Sequence, residues 1–282
     1  MINKIYTLNL KKINLEWLYV PDVEYYEYEN CKRYLQLIVP YKNMWTTKRK
    51  FPLVLFIPGS AWYKQEMYNN IPKRSELAKR GFVIAEVQYR ESEIAAFPAQ
   101  VIDLKNALRF IGTIAEHYRI DMDNVFIAGN SSGGHIALLS GLTIGYNELD
   151  TYKAEEIPVK IKGIINFFAP TEMSFFNGEK PVEALLGTDD INKVPELAKS
   201  ASCSTYISER EIPPILMFHG IEDDIVDICN SRVLFDNLRS YDKDVEYYEI
   251  EDEGHGGGTF WCKEIWDIVE RFMKRHTTKS KD

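Results

Sequence analysis

Two adjacent serines, Ser131 and Ser132, stand in the stretch IAGNSSGGH, flanked by glycines. A serine held on a sharp turn between a strand and a helix can act as a nucleophile. Such a turn needs glycine on either side because strand and helix leave no room for side chains there. Gly129, Asn130, Ser131, Ser132 and Gly133 satisfy the G-x-S-x-G spacing, and the apolar runs NVFIA before and HIALL after supply the strand and the helix. Ser132 has Asn130 two positions before it, so the register selects Ser131. Ser132 then offers its backbone N–H at the start of a helix, where negative charge developing on a substrate oxygen is stabilised.

A serine hydroxyl is a weak nucleophile at neutral pH. It needs a histidine base, and the histidine needs a carboxylate that holds its tautomer and stabilises its charge. Five histidines compete. His117 and His135 fall on predicted helices and read as structural, and His276 lies in a charged tail. His219 ends a predicted strand but precedes every plausible acid. His255 lies in EDEGHGGG, directly after the last predicted strand, in a loop that its glycines leave free to fold over the sheet. His255 is the candidate base. For the acid, HGIEDDIVD carries Glu222, Asp223, Asp224 and Asp227 just beyond the strand ILMF, and spacing alone does not choose among them.

The elements that must position these groups alternate between strand and helix. RYLQLIVP (33–40), FPLVLFIP (51–58), FVIAEVQY (82–89), NVFIAG (124–129), KGIINFFAP (162–170), PPILMFHG (213–220) and DVEYYEIE (244–251) read as strands. Between them, Val101, Leu104, Leu108, Ile111 and Ile114 recur at helical spacing after Pro98, and Trp261, Ile265, Val269 and Phe272 form a stripe on a last helix. Further helices are predicted at 75–80, 135–142 and 231–238. This alternation predicts an α/β fold with a mostly parallel sheet flanked by helices. Residues 1–30 read as an N-terminal extension and 171–212 as a small cap or lid insertion, within a single domain spanning 1–282.

The 282 residues are 45% hydrophobic, enough for one substantial core, and the formal net charge is −8. That balance disfavours nucleic-acid and anionic-membrane partners, which need basic patches. No run reads as a signal peptide or a membrane span, and the four cysteines show no CxxC spacing, so a cytoplasmic location is expected. The run GHGGG offers one imidazole and no paired ligand, so neither a metal nor a cofactor is expected.

The segments PGSAW (58–62), YR (89–90), FPAQVIDLKNALRFI (97–111), GNSSGGH (129–135), HGIEDDIV (219–226) and EGHG (253–256) fall in the order seen in α/β-hydrolase esterases. The chain resembles hormone-sensitive-lipase-like carboxylesterases, and within them bacterial acetyl and feruloyl esterases that act on plant polysaccharides, over roughly residues 33–275. The resemblance implies an α/β-hydrolase fold with a small or minimal cap. It implies Ser131 as nucleophile, Asp223 as the acid of the HGxxD motif and His255 as base. PGSAW matches the family's HGGGW oxyanion loop, with Pro58 in place of its histidine and Ser60 and Ala61 in place of two glycines. The backbone N–H groups of Ser60, Ala61 and Ser132 are the implied oxyanion hole, and Trp62 is a candidate substrate-binding residue. Tyr89, Arg90 and His135 match family positions and read as structural. The expected substrate is a short-chain acyl ester, acetyl to butyryl, of a small molecule or oligosaccharide. An amide hydrolase of the arylformamidase kind and a non-catalytic binding protein on the same scaffold are the alternatives.

Overall fold

The computed structural model describes residues 5–9, 15–41, 49–144, 146, 149–150 and 159–278. Eight strands form one sheet: β1 (Glu16–Tyr28), β2 (Cys31–Tyr41), β3 (Phe51–Ile57), β4 (Val83–Val87), β5 (Ile120–Asn130), β6 (Ile161–Phe167), β7 (Ile215–Gly220) and β8 (Val245–Ile250). Their order across the sheet is β1-β2-β4-β3-β5-β6-β7-β8. The pairs β1–β2 and β2–β4 are antiparallel and every other pair is parallel.

The central strands are near-continuous apolar runs because both faces are covered. Along β3, Leu53, Leu55 and Ile57 pack on one side with Val101, Leu104 and Leu108 of α2 (Ala99–Ile114) and with α3 (Ser132–Thr143). Val54 and Phe56 pack on the other, with Leu77 of α1 (Ile71–Lys79) and Ile265, Trp266 and Phe272 of the C-terminal helix.

Within the N-terminal extension, residues 16–28 form strand β1, joined to β2 by a two-residue turn. Glu29 and Asn30 there have φ of 45° and 65°, the backbone twist that joins antiparallel strands most readily. Residues 1–4 and 10–14 lie outside the described part. The 171–212 region forms α4 (Lys180–Leu186), α5 (Pro195–Ser200) and short 3-10 turns. It is tied to the core by Thr171, whose N–H donates to Asn230 Oδ1 in α6 (Cys229–Ser240), and by Ala201 O, which meets His135 of α3. The last described helix is α7 (Lys263–His276). None of the described helices is long and apolar enough to cross a membrane.

Because β3 lies between β4 and β5, the chain leaves β3 in one direction and β5 in the other. That reversal opens a crevice at the carboxyl ends of the parallel strands. The segments holding every candidate site residue leave from those ends: 58–62 after β3, 131–132 after β5, 223 after β7 and 255 after β8.

Candidate active site

Ser131 sits between β5 and α3 with φ 52° and ψ −130°, outside the regions a residue with a Cβ prefers. Such a conformation costs on the order of 1–3 kcal/mol and persists where its surroundings enforce it. Ser131 N–H donates to Phe167 O at 2.9 Å, and His135 N–H donates to Ser131 O at 3.1 Å. The flanking glycines are steric necessities. A Cβ on Gly129 would lie 2.3 Å from Gly133 O, and one on Gly133 would lie 2.2 Å from Ile57 O.

The structure brings Ser131, His255 and Asp223 together from three loops. His255 Nε2 is 2.9 Å from Ser131 Oγ, and His255 Nδ1 is 2.7 Å from Asp223 Oδ2. A carboxylate at Nδ1 requires the proton there, which leaves Nε2 to accept from the serine. The His255 ring packs edge-on against Phe168, with centroids 4.8 Å apart. Asp223 Oδ1 accepts from the N–H groups of Ile225 (3.0 Å) and Val226 (2.8 Å). Burial alone would push this carboxyl up. Hydrogen bonds from His219 and His255 and from the Val226 amide outweigh it and hold the group well below the ordinary carboxylate range.

His219 lies beside Asp223, the candidate acid. It is buried, with Nε2 2.8 Å from Val226 O and 3.2 Å from Asp223 Oδ2, and Nδ1 2.7 Å from Ser231 Oγ. Facing two acceptors, Nε2 carries the proton. Its place before the acid in the chain gave no sign of this contact; its position in HGIEDD did place it at the same strand end.

On the other side of Ser131 lies the 58–62 loop. Ala61 and Trp62 are both left-handed, at φ 52° and 60°, although neither is glycine. Ser60 departs from expectation. Its N–H donates to Ser132 Oγ at 2.9 Å, so this amide is engaged by a side chain instead of facing a substrate oxygen. The N–H groups of Ala61 and Ser132 have no acceptor among the described residues. Trp62 is buried, and its Nε1–H donates to His135 Nδ1 at 3.2 Å. His135 Nε2–H in turn donates to Ala201 O at 2.7 Å. Burial pushes the His135 imidazole down to about 4, so the ring is neutral, as its two hydrogen bonds require.

A cavity of about 100 Å3 opens beside Ser131, walled by Ala61, Trp62, Phe176, Val182 and Val226. Among the described residues, no group of three or more His, Cys, Asp or Glu is placed to hold a metal ion.

A family model described as BD-FAE matches residues 41–238, more than half of the chain. The chain belongs to the BD-FAE family. This member is similar to the probable carboxylic ester hydrolase LipM of Mycobacterium tuberculosis (strain ATCC 25618 / H37Rv), 30% identical over 218 residues, 72% of this chain and 49% of LipM. It is also similar to the esterase LipQ of the same organism, 27% identical over 80% of this chain and 55% of LipQ. The chain spans about half the length of the curated relatives it matches. In three dimensions it is similar to a truncated form of a carbohydrate esterase from gut microbiota. The TM-score is 0.83 at 22% identity, covering 95% of this chain and 99% of that one. An acetyl ester-xyloside bifunctional hydrolase from Caldicellulosiruptor lactoaceticus has a TM-score of 0.76 at 19% identity, covering 90% and 95%. These likenesses establish the α/β-hydrolase fold. The BD-FAE match ends before His255, so that residue's assignment rests on its contacts with Ser131 and Asp223.

Proposed function

We propose that this BD-FAE member is a serine carboxylesterase acting on short-chain acyl esters. The observation that carries this is the continuous contact Ser131 Oγ–His255 Nε2 and His255 Nδ1–Asp223 Oδ2 at 2.9 and 2.7 Å. Ser131 Oγ attacks the ester carbonyl while His255 takes its proton. Asp223, kept ionised by its hydrogen-bond donors, stabilises the imidazolium that forms. The tetrahedral oxyanion is received by the unengaged amides of Ala61 and Ser132, the latter at the N-terminus of α3. His255 then protonates the leaving alcohol and activates the water that hydrolyses the acyl-enzyme.

The cavity beside Ser131 supports a short acyl group. At about 100 Å3 it is small, and its walls are mostly apolar. That favours acetyl to butyryl over feruloyl. Esterified sugars of plant polysaccharides are the proposed natural alcohol portion. Two structural neighbours, a carbohydrate esterase and an acetyl ester-xyloside bifunctional hydrolase, support that choice.

The test is hydrolysis of p-nitrophenyl acetate, butyrate and octanoate and of acetylated xylo-oligosaccharides. Acetyl and butyryl esters are expected to turn over fastest, and Ser131→Ala to lose on the order of 1000-fold or more. Full activity in Ser131→Ala would remove the nucleophile assignment, and faster octanoate turnover would remove the short-acyl assignment.

A further inference from the structure

The 58–63 loop holds two consecutive left-handed residues with side chains, and a chain of hydroxyls surrounds it. Ser60 Oγ donates to Tyr63 O at 2.5 Å. Gln65 Nε2 donates to that same carbonyl at 2.6 Å. Ser60 Oγ also lies 2.8 Å from Tyr89 Oη, which lies 3.3 Å from Ser132 Oγ. Ser132 Oγ accepts the Ser60 N–H.

The direction of every proton follows from the end of the chain. Tyr63 O only accepts, so the Ser60 hydroxyl donates to it. Tyr89 must then donate to Ser60 Oγ, and Ser132 must donate to Tyr89 Oη. The result is a closed circuit: Ser60 N–H to Ser132 Oγ, Ser132 O–H to Tyr89, Tyr89 O–H to Ser60 Oγ, Ser60 O–H to Tyr63 O. Each hydroxyl gives one proton and receives one. Tyr89 is almost fully buried, and burial pushes its phenol up to about 12, so it stays a donor across the working pH range. The backbone bond from Tyr63 N–H to Ser60 O (3.0 Å) closes the same turn.

We infer that Ser60 and Tyr89 are positioning residues for oxyanion binding: their hydroxyl circuit, anchored on Ser132 beside the nucleophile, holds Ala61 in its strained left-handed conformation with its N–H toward the reacting carbonyl. The inference rests on the esterase reading of Ser131. A glycine at position 61 would adopt φ 52° without help, whereas alanine in this conformation needs its neighbours to hold it. The circuit spans 58–63, the end of β4 and the start of α3, so it also keeps the two amides that receive the oxyanion in fixed register with each other.

The test is a double-mutant cycle on p-nitrophenyl acetate hydrolysis. Tyr89→Phe and Ser60→Ala are each measured alone and in the Ala61→Gly background. In the alanine background each is expected to lower kcat about tenfold, with KM within about twofold, because a loosened donor costs less than the roughly 100-fold of a deleted one. Inhibition by a short alkylboronic acid, which forms a tetrahedral adduct on Ser131, is expected to weaken by the same factor as kcat. In the Ala61→Gly background the Tyr89→Phe loss is expected to shrink to less than about threefold, because glycine no longer needs the clamp. An equal loss in both backgrounds, a loss confined to KM, or wild-type kcat in both single variants would overturn the inference. Thermal melts check folding; should Tyr89→Phe not fold, Ser60→Ala at the half-buried end of the circuit carries the cycle. Full activity in Ser131→Ala, run alongside, would instead refute the esterase reading.

Discussion

The two turns that meet at Ser131 both force backbone into the left-handed region, and they do so by opposite means. The elbow at 129–133 works by omission. Gly129 and Gly133 have no Cβ, so Gly133 and Gly134 can close in on Gly129, and Ile57 on Gly133. The loop at 58–62 keeps one such glycine, Gly59, whose Cβ would lie 2.6 Å from Asn130 O, and otherwise works by addition. Ala61 and Trp62 keep their side chains, and the turn is pinned by Ser60 Oγ, Tyr89 Oη, Ser132 Oγ and the Trp62–His135 hydrogen bond. Sterics built from glycine leave a mark at fixed sequence spacing. A turn built from hydrogen bonds leaves none, because its partners come from residues 89, 132 and 135.

Breaking each turn should therefore give effects of different size. The largest is expected for Gly133→Ala. The added Cβ would meet Ile57 backbone, which cannot yield, so a destabilisation of more than about 4 kcal/mol and loss of measurable hydrolysis are expected in denaturant melts and esterase assays. Gly112→Ala in α2 is the control. Nothing lies within 4 Å of its added Cβ, and it should gain about 1 kcal/mol. A similar loss in both variants would show that glycine flexibility, not clearance, makes the elbow.

Asp223→Asn should come next in effect on rate while leaving the elbow folded. The Ile225 and Val226 amides can still donate to the side-chain oxygen, but the amide cannot hold the His255 tautomer. A kcat loss of about 10,000-fold is expected, together with a lower melting point, because the ionised carboxylate that His219 and the loop amides hold is lost. A kcat within about tenfold of wild type would remove Asp223 from the chemistry.

On the loop side, His135→Gln probes the anchor of Trp62. The His135 value of about 4 in the fold lies below its ordinary 6.5, so the unfolded chain takes up the extra proton between those values. The ring's stabilising share is complete above pH 6.5 and is lost as pH falls toward 4, with a ceiling of about 3 kcal/mol. Urea midpoints at pH 7 and pH 4.5 should fall more in the wild type than in His135→Gln. Parallel slopes would mean that other groups set the acid sensitivity. The smallest effect is expected for Trp62→Phe, which removes one donor to a buried ring nitrogen: about 1 kcal/mol in stability and less than a tenfold loss in kcat.

Much of the fold was legible. The apolar run of β3 reads as a doubly covered strand, those of β5 and β7 read as strands, and the helical stripe of Ile265, Val269 and Phe272 reads as one face of α7. Residues 16–28 were not legible as a strand, because EYYEYEN mixes exposed charge with aromatic residues and β1 is an edge, half solvated, whose register comes from β2. At the site, spacing selected Ser131 and loop context selected His255, but the acid stayed open among four carboxylates until a family likeness singled out Asp223. The fold shows why Asp223 differs from its neighbours. Its side chain is buried against His219 and receives two loop amides, while Asp224 and Asp227 are exposed. Ser60 was expected to offer its amide to substrate, and no property of the chain's order could reveal that Ser132 Oγ, 72 residues on, would engage it.

By itself the sequence determined which atoms could do chemistry and on which strand ends they ride, since glycine spacing and apolar periodicity are local consequences of sterics and burial. Only the tertiary structure decided which carboxylate meets the imidazole, which amides stay unengaged and how Ala61 and Trp62 are held in left-handed conformations. Those choices depend on ångström-scale contacts between segments that lie far apart along the chain and become neighbours only when the sheet forms.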